Sequence, residues 1–289
     1  MKNNSLHHES ARLHVTGSAK YVFDNFEQGI TLFGKVVYST ISKGSILKLD
    51  IDEATKFKGV HAIVTAKDIK GHNQLGPVFK DEPCLIDRGV EAIGQAIALI
   101  AAENEEIANN AAKLISVEYS ESQPILTLEQ AYKNDSKLKP PRYIKRGNPQ
   151  DAFAKSEYII EGKMKSGAQE HWYLEPQAAM VIPGENNEFK VFASSQNPTE
   201  TQIIVAEVLG LDFNKVICEV KRIGGAFGGK ETQANHIAAW TALLAQKTGK
   251  PVAMQLFRDD DQKITGRRHP FSSTYKIGFD KEGIINVYN

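Results

Sequence analysis

With 289 residues, the chain can form two ordinary domains or one large one. At 41% hydrophobic and 24% charged it has the composition of a globular protein with a sizeable core, so extended disorder is not expected. Lys and Arg (35) balance Asp and Glu (35), and the zero net charge argues against a dedicated nucleic-acid or anionic-membrane binder, which needs a basic excess.

The N-terminal MKNNSLHHES is polar and lacks the apolar centre of a secretory signal. Residues 31–38, 44–51 and 60–65 have strand-like content bounded by Gly, Asp and Lys. Residues 96–101, AIALIA, are continuously apolar, as a strand covered on both faces would be. They belong to the longest apolar run, residues 92–102, which Gly94 and Gln95 interrupt and which is far too short to span a membrane. A soluble, cytoplasmic protein is therefore expected. Residues 104–114 predict a helix with Ile107, Ala111 and Leu114 on one stripe, and residues 116–119 a returning strand. Residues 133–151, KNDSKLKPPRYIKRGNPQD, lack hydrophobic periodicity and contain Pro140-Pro141, which predicts a connection and a domain boundary. Cys84 and Cys218 are too few for a disulfide framework and lack metal-ligand spacing, so each reads as a small buried apolar residue.

Beyond the connection, residues 158–164 and 189–193 predict strands separated by turn residues. A helix follows, with Asn197 as N-cap, Pro198 at the first position, Glu200 where a capping-box carboxylate belongs, Ile203, Ile204 and Val208 as the apolar stripe, and Gly210 as the stop. Residues 216–220 predict a strand, and Ile237, Trp240 and Leu244, ending at Gly249, another helix. Residues 273–279, the turn 280–283 and residues 284–289 read as a hairpin at which the chain stops, suggesting a truncated piece of a longer polypeptide. The fold class is α+β.

Between that strand and helix lies RIGGAFGGKET, residues 222–232. Gly224, Gly229 and Lys230 satisfy the G-x-x-x-x-G-K of a phosphate loop, but Glu231 replaces the magnesium-binding Ser or Thr, and Thr232 comes one place late. A desolvated carboxylate beside a triphosphate would repel it, so a nucleotide triphosphatase is the weaker reading. Four glycines in six positions are more than a turn requires. They fit a loop whose backbone approaches a ligand closely, ahead of a helix N-terminus.

IGGAFGGKE, residues 223–231, resembles the loop in the molybdenum-binding subunit of the xanthine dehydrogenase and aldehyde oxidase family. Three further stretches agree with that family in order: GAQEHWYLEP at 167–176, SSQNP at 194–198, and residues 259–271, which end in GRRHPF and resemble its R-x-x-D…G-x-R-H-P-F stretch. HVTGSAKYV at 14–22 resembles the start of its α/β hammerhead domain, and the xanthine dehydrogenase branch is nearest. The resemblance implies a hammerhead domain at 1–132, a linker at 133–150 and the first, incomplete part of a molybdopterin-binding domain at 151–289. It implies a molybdenum–molybdopterin cofactor without a protein side-chain ligand, with Gln169 bonded to an oxo group and the backbone of Phe227 and Gly228 facing the cofactor.

By the same resemblance Glu231 positions a purine substrate. The implied reaction is oxidative hydroxylation of a purine or aldehyde at a hydroxyl-bearing molybdenum, with electrons leaving through [2Fe–2S] clusters to FAD. The catalytic base, the C-terminal half of the cofactor domain and the iron–sulfur and FAD partners would lie outside these residues, and the full complex is expected to be a dimer. The 289 residues alone are expected to be inactive, and a cofactor-free assembly module is the other alternative. His171 and His269 lack a metal-binding pattern and read as structural, Glu231 alternatively as a helix N-terminal carboxylate. Lys230 is left without a role.

Overall fold

In the computed structural model, residues 8–26 and 29–289 are described, and most of the polar N-terminal stretch, residues 1–7, lies outside them. The chain runs α1 (Ala11–Val15), β1 (Leu32–Tyr38), β2 (Gly44–Asp50), α2 (Asp52–Thr55), β3 (Val60–Thr65), β4 (Gly89–Val90), β5 (Ala96–Ala102), α3 (Glu105–Ala112) and β6 (Ser116–Glu121). Next come α4 (Leu128–Lys133), α5 (Pro149–Lys155), β7 (Tyr158–Ser166), β8 (Ala178–Pro183), β9 (Phe189–Ala193) and α6 (Pro198–Leu209). The last elements are β10 (Val216–Glu219), α7 (Ala234–Thr248), β11 (Val252–Gln255), α8 (Arg258–Ile264), β12 (Phe271–Phe279) and β13 (Ile285–Tyr288). Two compact units form: the described residues up to Gln123 together with His171–Gly266, and Pro124–Glu170 together with Arg267–Asn289.

The first unit is built on a seven-stranded sheet in the order β10-β9-β8-β11-β1-β5-β3. Only β1 with β11 and β9 with β10 pair in parallel. All seven residues of β5 are buried. Leu99 and Ala101 pack with α6 and α7 on one face, and Ala98, Ile100 and Ala102 pack with α3 on the other. The absence of polar alternation in AIALIAA thus follows from cover on both sides. A second sheet, β4-β2-β6, packs Ile46, Leu49, Val117 and Tyr119 around Ile41, Ile86, Val90 and Ile97.

The two long helices start and stop for local reasons. Asn197 caps α6 by accepting the Glu200 N–H at 3.2 Å, Pro198 opens it, and Gly210 closes it at φ 69°. Glu200 does not complete a capping box, because the Asn197 N–H goes to Ser195 Oγ and Glu200 accepts Asn235 Nδ2 at 2.9 Å. Two stripe residues are also displaced: Leu114 lies past the end of α3, and Ile203 is exposed while Ile204, Val205 and Val208 are buried. In α7, Trp240 donates its indole N–H to Cys84 O at 3.0 Å. Both cysteines are free. Cys84 is buried, Cys218 is half-buried against the core, and burial pushes the Cys218 thiol to about 12.

On α7, His236 Nε2 lies 2.7 Å from Glu82 Oε1 and holds that carboxyl below its ordinary value of 4.5, against the opposing effect of burial. A depressed carboxyl contributes stability above its unfolded value and loses it as pH falls through the folded one. Glu82→Gln is therefore expected to remove a component of acid sensitivity below that value. Because Glu82 is nearly half exposed, the effect in urea unfolding at pH 7 and pH 4 should stay under about 1 kcal/mol.

The second unit carries the sheet β13-β12-β7. β12 pairs with β7 from Phe271 opposite Ser166 to Phe279 opposite Tyr158, and with β13 in the hairpin. Residues 134–148 hold no helix or strand, and α5 begins at Pro149, capped by Asn148.

Candidate functional site

The glycine loop leaves β10 and enters α7 in the first unit, the position the sequence predicts. Its path needs positive φ at Gly225 (92°), Phe227 (54°) and Gly228 (92°). Glycine adopts this region freely, whereas for an L-residue such as Phe227 it is strained. Phe227 is also 77% exposed, so burial does not compensate that strain, and no internal acceptor is found for its N–H among the described residues. Beside Gly228 the space is open, since an added Cβ would meet only His171 Nε2, at 4.0 Å.

The underside of the loop is fixed. Gly229 sits so close to the stacked His171 and Tyr173 rings that a Cβ would come within 2.7 Å of Tyr173 Cε1 and 2.8 Å of His171 Cγ. Gln196 Oε1 accepts from the N–H groups of Gly228 and Lys230, at 3.1 and 3.3 Å, and Gln196 N–H donates to Lys230 O at 2.8 Å. Glu175 accepts the Gly224 N–H at 2.7 Å while its own N–H donates to Gly224 O at 3.0 Å.

Lys230 closes this support. Its side chain is fully buried, Nζ lies 2.9 Å from Glu175 Oε2, and the Tyr173 ring centroid is 4.8 Å away. Burial pulls the ammonium below the ordinary lysine value, and the Glu175 carboxylate opposes that shift. Tyr173, itself 1% exposed, donates its hydroxyl to Asp261 Oδ1 at 3.0 Å; burial and the Asp261 charge raise its pKa and keep the phenol neutral. Arg258 pairs with Asp261 at 3.2 Å and donates to the carbonyls of Tyr173 and Leu174, both at 2.7 Å. Gln177 donates to the Tyr173 hydroxyl and to Gly229 O, which links this buried network back to the loop.

The sequence-predicted residues fall in two places. Phe227, Gly228 and Glu231 are exposed on the one loop in the first unit. Glu231 precedes the first residue of α7 by three positions, and no acidic residue occupies that helix's first turn, so the helix-carboxylate alternative does not hold. Gln169 belongs to the second unit, where its backbone bridges to Arg268 and its exposed amide donates to Glu170 O at 3.2 Å. His171 packs under the loop against Gly229 and Tyr173, and His269 is exposed in the second unit. Among the described residues no cluster of three His, Cys, Asp or Glu could hold a metal ion, and no helix is long and apolar enough to cross a membrane. A triphosphate reading fails on Lys230, whose ammonium is buried against Glu175 instead of being free for phosphates.

Comparison with known proteins follows the same lines. A family model described as the molybdopterin cofactor-binding domain matches residues 132–289, over half of the chain. The chain belongs to this family. A second model, described as the aldehyde oxidase and xanthine dehydrogenase a/b hammerhead domain, matches residues 16–123. Xanthine dehydrogenase of Drosophila pseudoobscura pseudoobscura is 41% identical over 283 residues, 97% of this chain and 21% of that protein. Mouse aldehyde oxidase 3 is 39% identical over 282 residues, again 97% of this chain and 21% of the relative. The solved aldehyde oxidoreductase from Desulfovibrio gigas superimposes with a TM-score of 0.86 at 27% identity, covering 96% of this chain and 32% of that one. The chain thus spans about a fifth of the length of the curated relatives it matches. The seven-stranded sheet takes β1, β3 and β5 from the hammerhead match and β8 to β11 from the cofactor-domain match.

Sequence reasoning missed the supports: Glu175, Gln196, Arg258 and Asp261. Their signal was present, since Glu175 and Gln196 fall inside the GAQEHWYLEP and SSQNP motifs, Asp261 falls inside the 259–271 stretch, and Arg258 immediately before it completes the R-x-x-D pair. Strain at Phe227 gives a direct test. Phe227→Asn, a residue that tolerates positive φ, is expected to raise unfolding stability by about 0.5–1 kcal/mol, because left-handed backbone costs an ordinary L-residue about 1–2 kcal/mol. A loss of stability would show that the exposed ring makes contacts that outweigh the strain.

Proposed function

We propose that this chain supplies the cofactor-facing loop and part of the substrate pocket of a molybdenum hydroxylase of the xanthine dehydrogenase type, acting on purines or aldehydes. The observation that carries the reading is the loop itself: exposed, strained at Phe227, open at Gly228, and fixed from beneath by the buried Lys230 paired with Glu175. Such backbone suits an oxo-rich, flat group, which needs close approach and N–H donors already in place.

In this proposal the Phe227 N–H and the Gly228 backbone contact the molybdenum–molybdopterin group, and the Gln169 amide donates to one of its oxo oxygens without competing as a ligand. The bound group would supply the oxidation and oxygen transfer. Glu231 would accept a hydrogen bond from a purine ring and so orient the carbon to be hydroxylated. Residues 1–132 would form the hammerhead domain, 133–150 a linker and 151–289 the first part of the cofactor domain. The catalytic base, the rest of the cofactor domain, [2Fe–2S] centres and FAD would come from further polypeptide, in a cytoplasmic dimer.

Expression of the full-length polypeptide tests the proposal by molybdenum and pterin content together with turnover of hypoxanthine and of an aromatic aldehyde. Near-stoichiometric molybdenum and turnover of at least one substrate are expected, with neither from residues 1–289 alone. A full-length protein without molybdenum would favour a cofactor-free assembly module.

A further inference from the structure

The seven-stranded sheet is sealed unevenly. On β8 and β9 the residues Ala179, Val181, Phe189 and Val191 face the helices α6 and α7. Met180 and Ile182 with Phe192 take the opposite face, where the cover is the short turn Phe23–Asn25 and its neighbours Val22 and Phe26. Between that turn and the sheet lies a cavity of about 380 Å³, within the range of about 300–1,000 Å³ that encloses small ligands.

Its floor is Met180, Ile182 and Phe192, and four cations, Lys20, Lys190, Lys221 and Arg222, line it with one carboxylate, Glu219. Lys190 is engaged, 2.9 Å from Glu219 Oε2 and 4.8 Å from the Phe192 ring centroid. Among the described residues the other three have no carboxylate partner. The Arg222 guanidinium donates to neutral acceptors, Lys20 O at 2.6 Å and Ser10 Oγ at 3.4 Å, and its Nε is buried without an acceptor. Thr31, also lining the cavity, is only 2% exposed and its hydroxyl has no partner. Three like charges beside an apolar floor, with a buried hydroxyl left unsatisfied, form a surface complementary to one negative head on a flat apolar body.

We propose that this cavity binds a small organic anion, its carboxylate or phosphate held by Arg222, Lys221, Lys20 and the Thr31 hydroxyl, and its apolar body lying on Met180, Ile182 and Phe192. Calorimetric titration of the full chain with 2-naphthoate, its neutral isostere 2-naphthamide and inorganic phosphate tests this. Naphthoate is expected to bind at least tenfold more tightly than the amide and than phosphate, more weakly as salt is added. Lys221→Gln, an exposed change that leaves the core untouched, and Thr31→Val should each lower naphthoate affinity at least fivefold. Phe192→Ser should do the same while leaving the weaker phosphate binding unchanged. Equal binding of naphthoate and naphthamide, phosphate binding as tight as naphthoate, no binding of any probe, or unaltered affinity in both Lys221→Gln and Thr31→Val would each overturn the proposal.

Discussion

Replacing Lys230 by methionine is expected to destabilise the first unit by about 3–5 kcal/mol, the cost of leaving the largely buried Glu175 carboxylate, whose side chain is 10% exposed, without its partner. Both tryptophans, Trp172 and Trp240, lie in that unit, so intrinsic fluorescence in urea reports on it selectively. The double variant Lys230→Met with Glu175→Gln should recover most of the loss, because a neutral amide oxygen still accepts the Gly224 N–H and no charge is stranded. Burial also lowers the Lys230 pKa from 10.5, so below that value the unfolded chain binds more protons than the folded one. Wild-type stability should therefore gain a component as pH rises from the folded pKa toward 10.5, and Lys230→Met should lack it. A single-variant loss below about 1 kcal/mol would mean that water or neighbouring groups relieve Glu175 and that the pair does not hold the loop.

That expectation turns on a residue to which the sequence assigned no role, and the reason is physical. Periodicity reports which faces are covered, so AIALIAA disclosed a doubly buried strand and the Asn197-Pro198 start disclosed α6. It is silent about partners far away in sequence. The pairing of β1 with β11 joins residues some two hundred positions apart, and β7 with β12 more than a hundred, and no local pattern encodes either. A lysine after a glycine loop is the signature of phosphate binding when its ammonium is free. Here 55 residues separate it from the glutamate that takes its charge. Short elements were equally hidden: β11, VAMQ, is four residues with nothing to distinguish it from a loop until it is found between β8 and β1. The glycine spacing, by contrast, was legible because positive φ is a local demand that glycine meets at its own position, and Phe227 is the exception that marks the loop as more than a turn.

Glu231 carries the second large expectation. It is exposed on a loop whose neighbouring residue, Lys230, is locked, so under the proposed function the carboxylate would meet a substrate from a backbone that need not reorganise. A hydrogen bond to a charged group contributes about 1.5–3 kcal/mol, so Glu231→Ala in the full-length enzyme should lower kcat/KM for hypoxanthine by roughly 10- to 150-fold. Glu231→Gln keeps the shape and a neutral acceptor and should retain part of that. An aliphatic aldehyde offers no ring N–H to the carboxylate, so its turnover should change less than about threefold, a difference under 1 kcal/mol. The pair of substrates separates two roles. A loss confined to hypoxanthine places Glu231 on the substrate, whereas an equal loss for both, accompanied by lower molybdenum content, would show that the carboxylate acts through the shape of the loop.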